Sequence, residues 1–145
     1  MDIREYNEKA LNDAYKNAHI ALQSISDLLP AVEDEEIKKE LKEEYEGYEK
    51  IIGEISTLIA KKGIEPKDIN PLKKAMLWSS IKMKTIMNNS KNQVAEMMIK
   101  GTVTGINELT AMMNEEENLE EDVKEKVSAL LELEEKYQQN LKKYL

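Results

Sequence analysis

Apolar positions recur at helical spacing along most of the chain. Between about Asp2 and Leu29 they fall at Tyr6, Ala10, Ala14, Ala18, Ala21, Leu22, Ile25, Leu28 and Leu29. Pro30 ends this helix, because it lacks the N–H that the next turn needs. A second helix is predicted from about Asp34 to Lys62, with Ile37, Leu41, Tyr45, Tyr48, Ile52, Ile55 and Ile59 on one face. Its acidic first turn and its closing Lys61-Lys62 both suit the helix dipole, and Gly63 supplies a left-handed stop. Ile64 to Pro71, with two prolines, is the one substantial loop.

A third helix is predicted from near Leu72, with a break at Asn88-Asn89-Ser90. There Ser90-Lys91-Asn92-Gln93 fits a capping box, so the helix restarts at about Lys91 and runs to Met113. A turn over Asn114 to Asn118 leads to a last helix, about Leu119 to Tyr144, through Val123, Val127, Leu130, Tyr137 and Leu141. No strand pattern competes. The expectation is a single all-α domain over residues 1–145, with antiparallel neighbours in an up-down bundle.

Composition sharpens this picture. The chain is 41% hydrophobic and 34% charged, with only five Gly, three Pro and no Phe, which suits long amphipathic helices. Its 21 basic and 29 acidic side chains leave a net charge of −8, with the lysines dispersed among acids. An acidic protein without a basic face is a poor partner for nucleic acid or for an anionic membrane surface. The absence of Cys excludes disulfides, thiolate metal sites and a cysteine nucleophile. With no apolar leader and no run near the ~20 residues of a membrane span, a soluble cytoplasmic protein is expected.

Helix lengths and order, the segment Trp78-Ser79-Ser80-Ile81-Lys82, the Asn-Ser break, and Val94-Ala95-Glu96-Met97-Met98 leading to Gly101 and Gly105 carry a resemblance. The chain resembles the ferritin-like superfamily of four-helix bundles, and within it a bacterial ferritin-like family of unknown function with an interrupted third segment. The resemblance implies an antiparallel ferritin-like four-helix bundle whose third long helix is broken near residues 88–90. Di-iron members of that superfamily take a Glu from each of two helices and Glu-x-x-His from the other two. This chain has one histidine, His19, and no Glu-x-x-His; the corresponding stretches read Glu44-Tyr45-Glu46-Gly47 and Glu134-Glu135-Lys136-Tyr137. No cofactor is therefore expected, and no enzymatic activity.

Several residues nevertheless carry candidate chemistry. At ~100° per residue, Glu44, Glu108 and Glu134 each lie within ~40° of the centre of their helix's apolar stripe. They either point inward or reach outward to pair with lysines. Glu108 and Glu134 come out ~15 Å apart in height, too far to share a metal. Glu44, Glu108 and His19 are the candidates for a degenerate carboxylate-and-histidine metal site, although His19 lies ~100° or more from the Ala stripe, as a surface histidine would. Gly101 and Gly105 face inward with Ser90 and Val94, as do Ala10, Ala14 and Ala18 on the first helix, and two such small-residue faces predict close helix contact.

Seven of the eight methionines lie between Met76 and Met113, serving as adaptable core filler or as a plastic surface for a partner. The third segment also bears a second apolar stripe, including Leu77, Trp78, Ile81, Ile99, Val103 and Ile106. A helix apolar on two sides is covered within the chain or shared between subunits. The expected function is therefore non-enzymatic: self-association, most simply as a homodimer, or binding of a protein partner. A ferritin-like metal-binding protein with a degenerate carboxylate site is the alternative.

Overall fold

The computed structural model describes residues 2–65 and 90–145. Among these residues there are four α-helices and no strand: α1 (Ile3–Leu28), α2 (Glu35–Lys61), α3 (Lys91–Asn114) and α4 (Glu121–Lys142). Their limits follow from local chemistry. Asp2 caps α1, its carboxylate accepting from the Glu5 N–H at 2.8 Å. Asp34 does the same for α2, accepting from the Glu36 and Ile37 N–H groups at 3.1 Å each. Pro30 sits in a 3-10 turn, Leu29–Ala31, that ends α1. Gly63 closes α2 at φ +66°, with the Gly63 and Ile64 N–H groups donating to Ala60 and Ile59 carbonyls.

The helix start expected at Lys91 is observed, but the capping box is not. Ser90 has the extended backbone of a cap while its hydroxyl lies 2.7 Å from Asn92 Oδ1, so it makes no bond to the helix amides. The hydroxyl, turned to donate to Asn92, is not placed to accept from the Gln93 amide. Residues 88 and 89, and the helix expected from Leu72, lie outside the described residues.

The bundle has two ends that can be read from its polar bridges. At one, buried Asn7 near the start of α1 donates to the Asn118 carbonyl at 2.9 Å and accepts from the Glu120 N–H at 2.7 Å. Lys62, past the end of α2, pairs there with Glu120 and Asp122. At the other end Asn140 of α4 reaches Glu40 of α2 at 3.4 Å. Consequently α1 and α4 run one way while α2 and α3 run the other. The pairs α1–α2 and α3–α4 are antiparallel, as expected of neighbours joined by short turns; α2 and α4 are antiparallel as well, and α2 and α3 point in the same direction. Among the described helices the order is thus up-down-down-up.

The core gathers the predicted stripes: Leu11, Ile25 and Leu28 of α1, Ile37, Leu41 and Ile55 of α2, Met98 and Leu109 of α3, and Leu130 and Leu141 of α4 are all essentially inaccessible. Burial of such side chains, at about 1.5–3 kcal/mol each, is what holds the four helices together. Contact is not uniform. α1 packs most fully on α2 and α3 on α4, whereas α1 and α3 meet along a thin seam. Among the described residues no helix is long and apolar enough to cross a membrane.

Candidate functional site

Two carboxylates interrupt the apolar core. Glu44 and Glu134 occupy the inward positions that helical spacing assigns them, and each is 1% exposed. Burial raises the Glu44 carboxyl from 4.5 to about 10, assisted by a hydrogen bond and charge from Glu40, one turn earlier on α2. Glu44 is therefore neutral at physiological pH. Its Oε2 has no hydrogen-bond partner.

Glu134 is held differently. Tyr48 of α2 donates its hydroxyl to Glu134 Oε2 at 2.9 Å across the bundle, and Oε1 is buried without a partner. Burial lifts the Glu134 carboxyl from 4.5 to about 7; Tyr48 pulls it down, the Glu108 charge pushes it up, and the Asn17 amide pulls it down. Near neutrality this carboxyl titrates. The Tyr48 ring packs edge-on against Tyr137, centroids 5.5 Å apart, and burial beside Glu134 holds the Tyr48 phenol well above its ordinary range. Tyr48 consequently remains a protonated hydrogen-bond donor at physiological pH.

Glu134 forms part of the lining of a cleft in the thin seam between α1 and α3. This cleft holds about 400 Å³ and is bounded by Asn17, Ile20 and Ala21 of α1 and by Met98, Gly101 and Gly105 of α3, among others. Its charged lining comprises Asp13, Lys16, Lys100, Glu108 and Glu134. The expected close approach of two small-residue faces is sparse and is clearest at Gly105. There the Asn17 amide donates to the Gly105 carbonyl at 3.0 Å, and a Cβ on Gly105 would stand 2.8 Å from Asn17 Nδ2. Asn17 acts as a spacer between the helices, and beside it, where Gly101 offers no side chain, the space opens.

The metal-site candidates are not gathered. Glu44 is in the core beside Glu40, Glu108 is exposed on the cleft side of α3, and His19 is half-buried beside Tyr15, ring centroids 5.8 Å apart. Among the described residues no group of three or more His, Cys, Asp or Glu is placed to hold a metal ion. The wheel put Glu108 inward; it is exposed because its side of α3 borders the open seam instead of a packed helix. The wheel also separated Glu108 from Glu134, yet both line the cleft and feel each other's charge. His19, expected at the surface, has its Nδ1 buried without a partner.

Of the second apolar stripe, Leu77, Trp78 and Ile81 lie outside the described residues. Ile99 and Ile106 are half-buried and Val103 is 42% exposed. Among the described methionines, Met98 and Met112 are buried, and Met97 and Met113 are half-buried against the core. Sequence reasoning missed Tyr48 and Asn17 as polar partners. The signal for Tyr48 was its place on the same face as Glu44, one turn on. For Asn17 it was a polar side chain beside the Ala stripe, level with the α3 glycines. Compared with known proteins, the chain matches no family model, no curated protein and no solved structure.

Proposed function

We propose that this helical bundle is a binding protein rather than a catalyst, and that the cleft between α1 and α3 is where it binds. The observation that carries this reading is the cleft itself: a space of about 400 Å³ whose lining includes a fully buried carboxylate with one oxygen left without a partner. Pockets of this size accommodate small organic molecules, and a buried polar atom without a partner costs about 1–3 kcal/mol unless a guest or water satisfies it. A sequence with no cysteine supplies no thiol nucleophile, and its one histidine, His19, is not part of the cleft lining. The parallel course of α2 and α3 suits a ferritin-like bundle with a long connection and an interrupted third segment, an arrangement that places sites between facing helices.

The test is amide chemical-shift mapping of the protein against a library of small organic molecules. Hits should shift residues of α1 and α3 around Asn17, Ala21, Met98 and Gly105, and Gly101→Leu, which fills the cleft, should abolish those shifts. Hits that map elsewhere, or that survive the filled cleft, refute the reading.

Self-association is a second reading, favoured by one observation. Val103 is 42% exposed in mid-helix, whereas the other large exposed hydrophobics among the described residues, Ile3 and Leu145, lie near the chain ends. Flanked by Ile99 and Ile106, it offers a face for a second copy. Sedimentation at micromolar concentration should then show a dimer that Ile99→Glu with Val103→Glu converts to a folded monomer. A monomeric parent protein removes this reading.

A further inference from the structure

The lining of the cleft says what kind of guest it suits. Its apolar part comprises Ile20, Ala21 and Met98, with bare backbone at Gly101 and Gly105. Its polar part is asymmetric: Lys100 is paired with Glu96 at 3.0 Å and Asp13 with Lys9, which leaves the acids Glu108 and Glu134 facing Lys16. Glu134 is the one charged group of that lining buried in the core. Its free oxygen can accept a hydrogen bond, and Tyr48 fixes the other.

We propose that the cleft takes a small organic amine, whose ammonium group pairs with Glu134 while its apolar body lies against Ile20, Ala21 and Met98. The proposal rests on the cleft being the binding site and adds the chemical class of the guest. A bare metal ion suits the space poorly: it demands several ligands at close range, and among the described residues no such group is gathered. A carboxylate guest would meet Glu134 as a like charge in a poorly hydrated place, where repulsion is least screened. An ammonium instead supplies a positive charge, and a stronger donor than the Asn17 amide that already lowers the Glu134 carboxyl from the cleft side. Pairing of opposite charges shielded from water is also stronger than the same pair at the surface.

Three probes of matched length separate the possibilities: n-hexylamine, n-hexanol and hexanoate, titrated calorimetrically and by amide shifts at about pH 8, where Glu134 is ionised and the amine protonated. Hexylamine should bind in the cleft at least about tenfold more tightly than either of the others, and Glu134→Gln should weaken it by about tenfold or more, a clearly larger loss than it causes for hexanol. Gly101→Leu should abolish binding without touching the carboxylate. If hexanol equals hexylamine in the cleft, or Glu134→Gln binds the amine undiminished, the charge pairing is wrong although the cleft remains a binding site. If none of the probes shifts cleft residues, the amine proposal falls, and whether the cleft binds at all is then decided by the wider library.

Discussion

The α1–α2 and α3–α4 contacts and the α1–α3 seam are built from the same helices, and they behave in opposite ways. In the first, aliphatic side chains such as Leu11, Leu41 and Leu130 are fully buried along the core. In the second, alanine and glycine face each other, Asn17 stands between them, and a cleft remains. Small side chains permit two backbones to approach, but they supply little dispersion to pull them together. A single polar side chain long enough to bond the opposite backbone then sets the separation. The packed contacts hold the fold; the seam is free to carry chemistry.

The largest effect should come from the packed side. Leu130→Ala removes a fully buried side chain and should cost about 3 kcal/mol, within the usual 2–5 for such cavities, read by urea unfolding. A cost below about 1 kcal/mol would mean that the core is as loose as the seam.

The next effect belongs to the seam and depends on pH. A carboxyl whose folded pKa lies above its unfolded value binds its proton more tightly in the native state. Its favourable contribution is complete below about 4.5 and is lost as pH rises through the folded value near 7. The protein should therefore be more stable near pH 5.5 than near pH 8, and Glu44, displaced upward as well, works in the same direction. Glu134→Gln should stabilise by up to about 3 kcal/mol at pH 8 and by little at pH 5, since about 2.5 pH units at 1.36 kcal/mol each set the ceiling. Thermal unfolding across that range checks it, and a parallel pH dependence of parent and variant would exclude Glu134 as the source.

Glycines give smaller, signed effects. A Cβ at Gly47 of α2 would collide with the Tyr137 hydroxyl of α4, so Gly47→Ala should destabilise by about 1–3 kcal/mol. At Gly53, six residues on, a Cβ meets nothing, and Gly53→Ala should stabilise by about 0.5–1 kcal/mol through helix propensity. Equal effects at the two sites would deny that α4 crosses α2 closely at Gly47.

Much of this was legible in the sequence. Periodicity placed the four described helices to within a residue or two at most ends, because Asp2, Asp34, Pro30 and Gly63 each act on their own neighbours. It also placed Glu44 and Glu134 near the inward stripe, though not whether they point in or reach out to lysines, since the wheel concerns one helix at a time. It failed where the outcome depends on two helices. The exposure of Glu108 reflects a partner helix that stands off, and the relative height of Glu108 and Glu134 depends on tilt and offset that turn lengths do not fix. Asn17 as a spacer is a property of its distance to the Gly105 carbonyl, which no one-dimensional pattern contains.

The account turns on Glu134 as a buried carboxyl on the wall of an open seam, poised to titrate near neutrality. Carbon-13 NMR titration of the glutamate side chains, with Glu134→Gln to assign the signal, measures this directly. The result expected is one carboxyl titrating near 7 that disappears in the variant, with Glu44 still protonated well above it. Titration of Glu134 near 4.5, together with the exposed glutamates, would contradict the account.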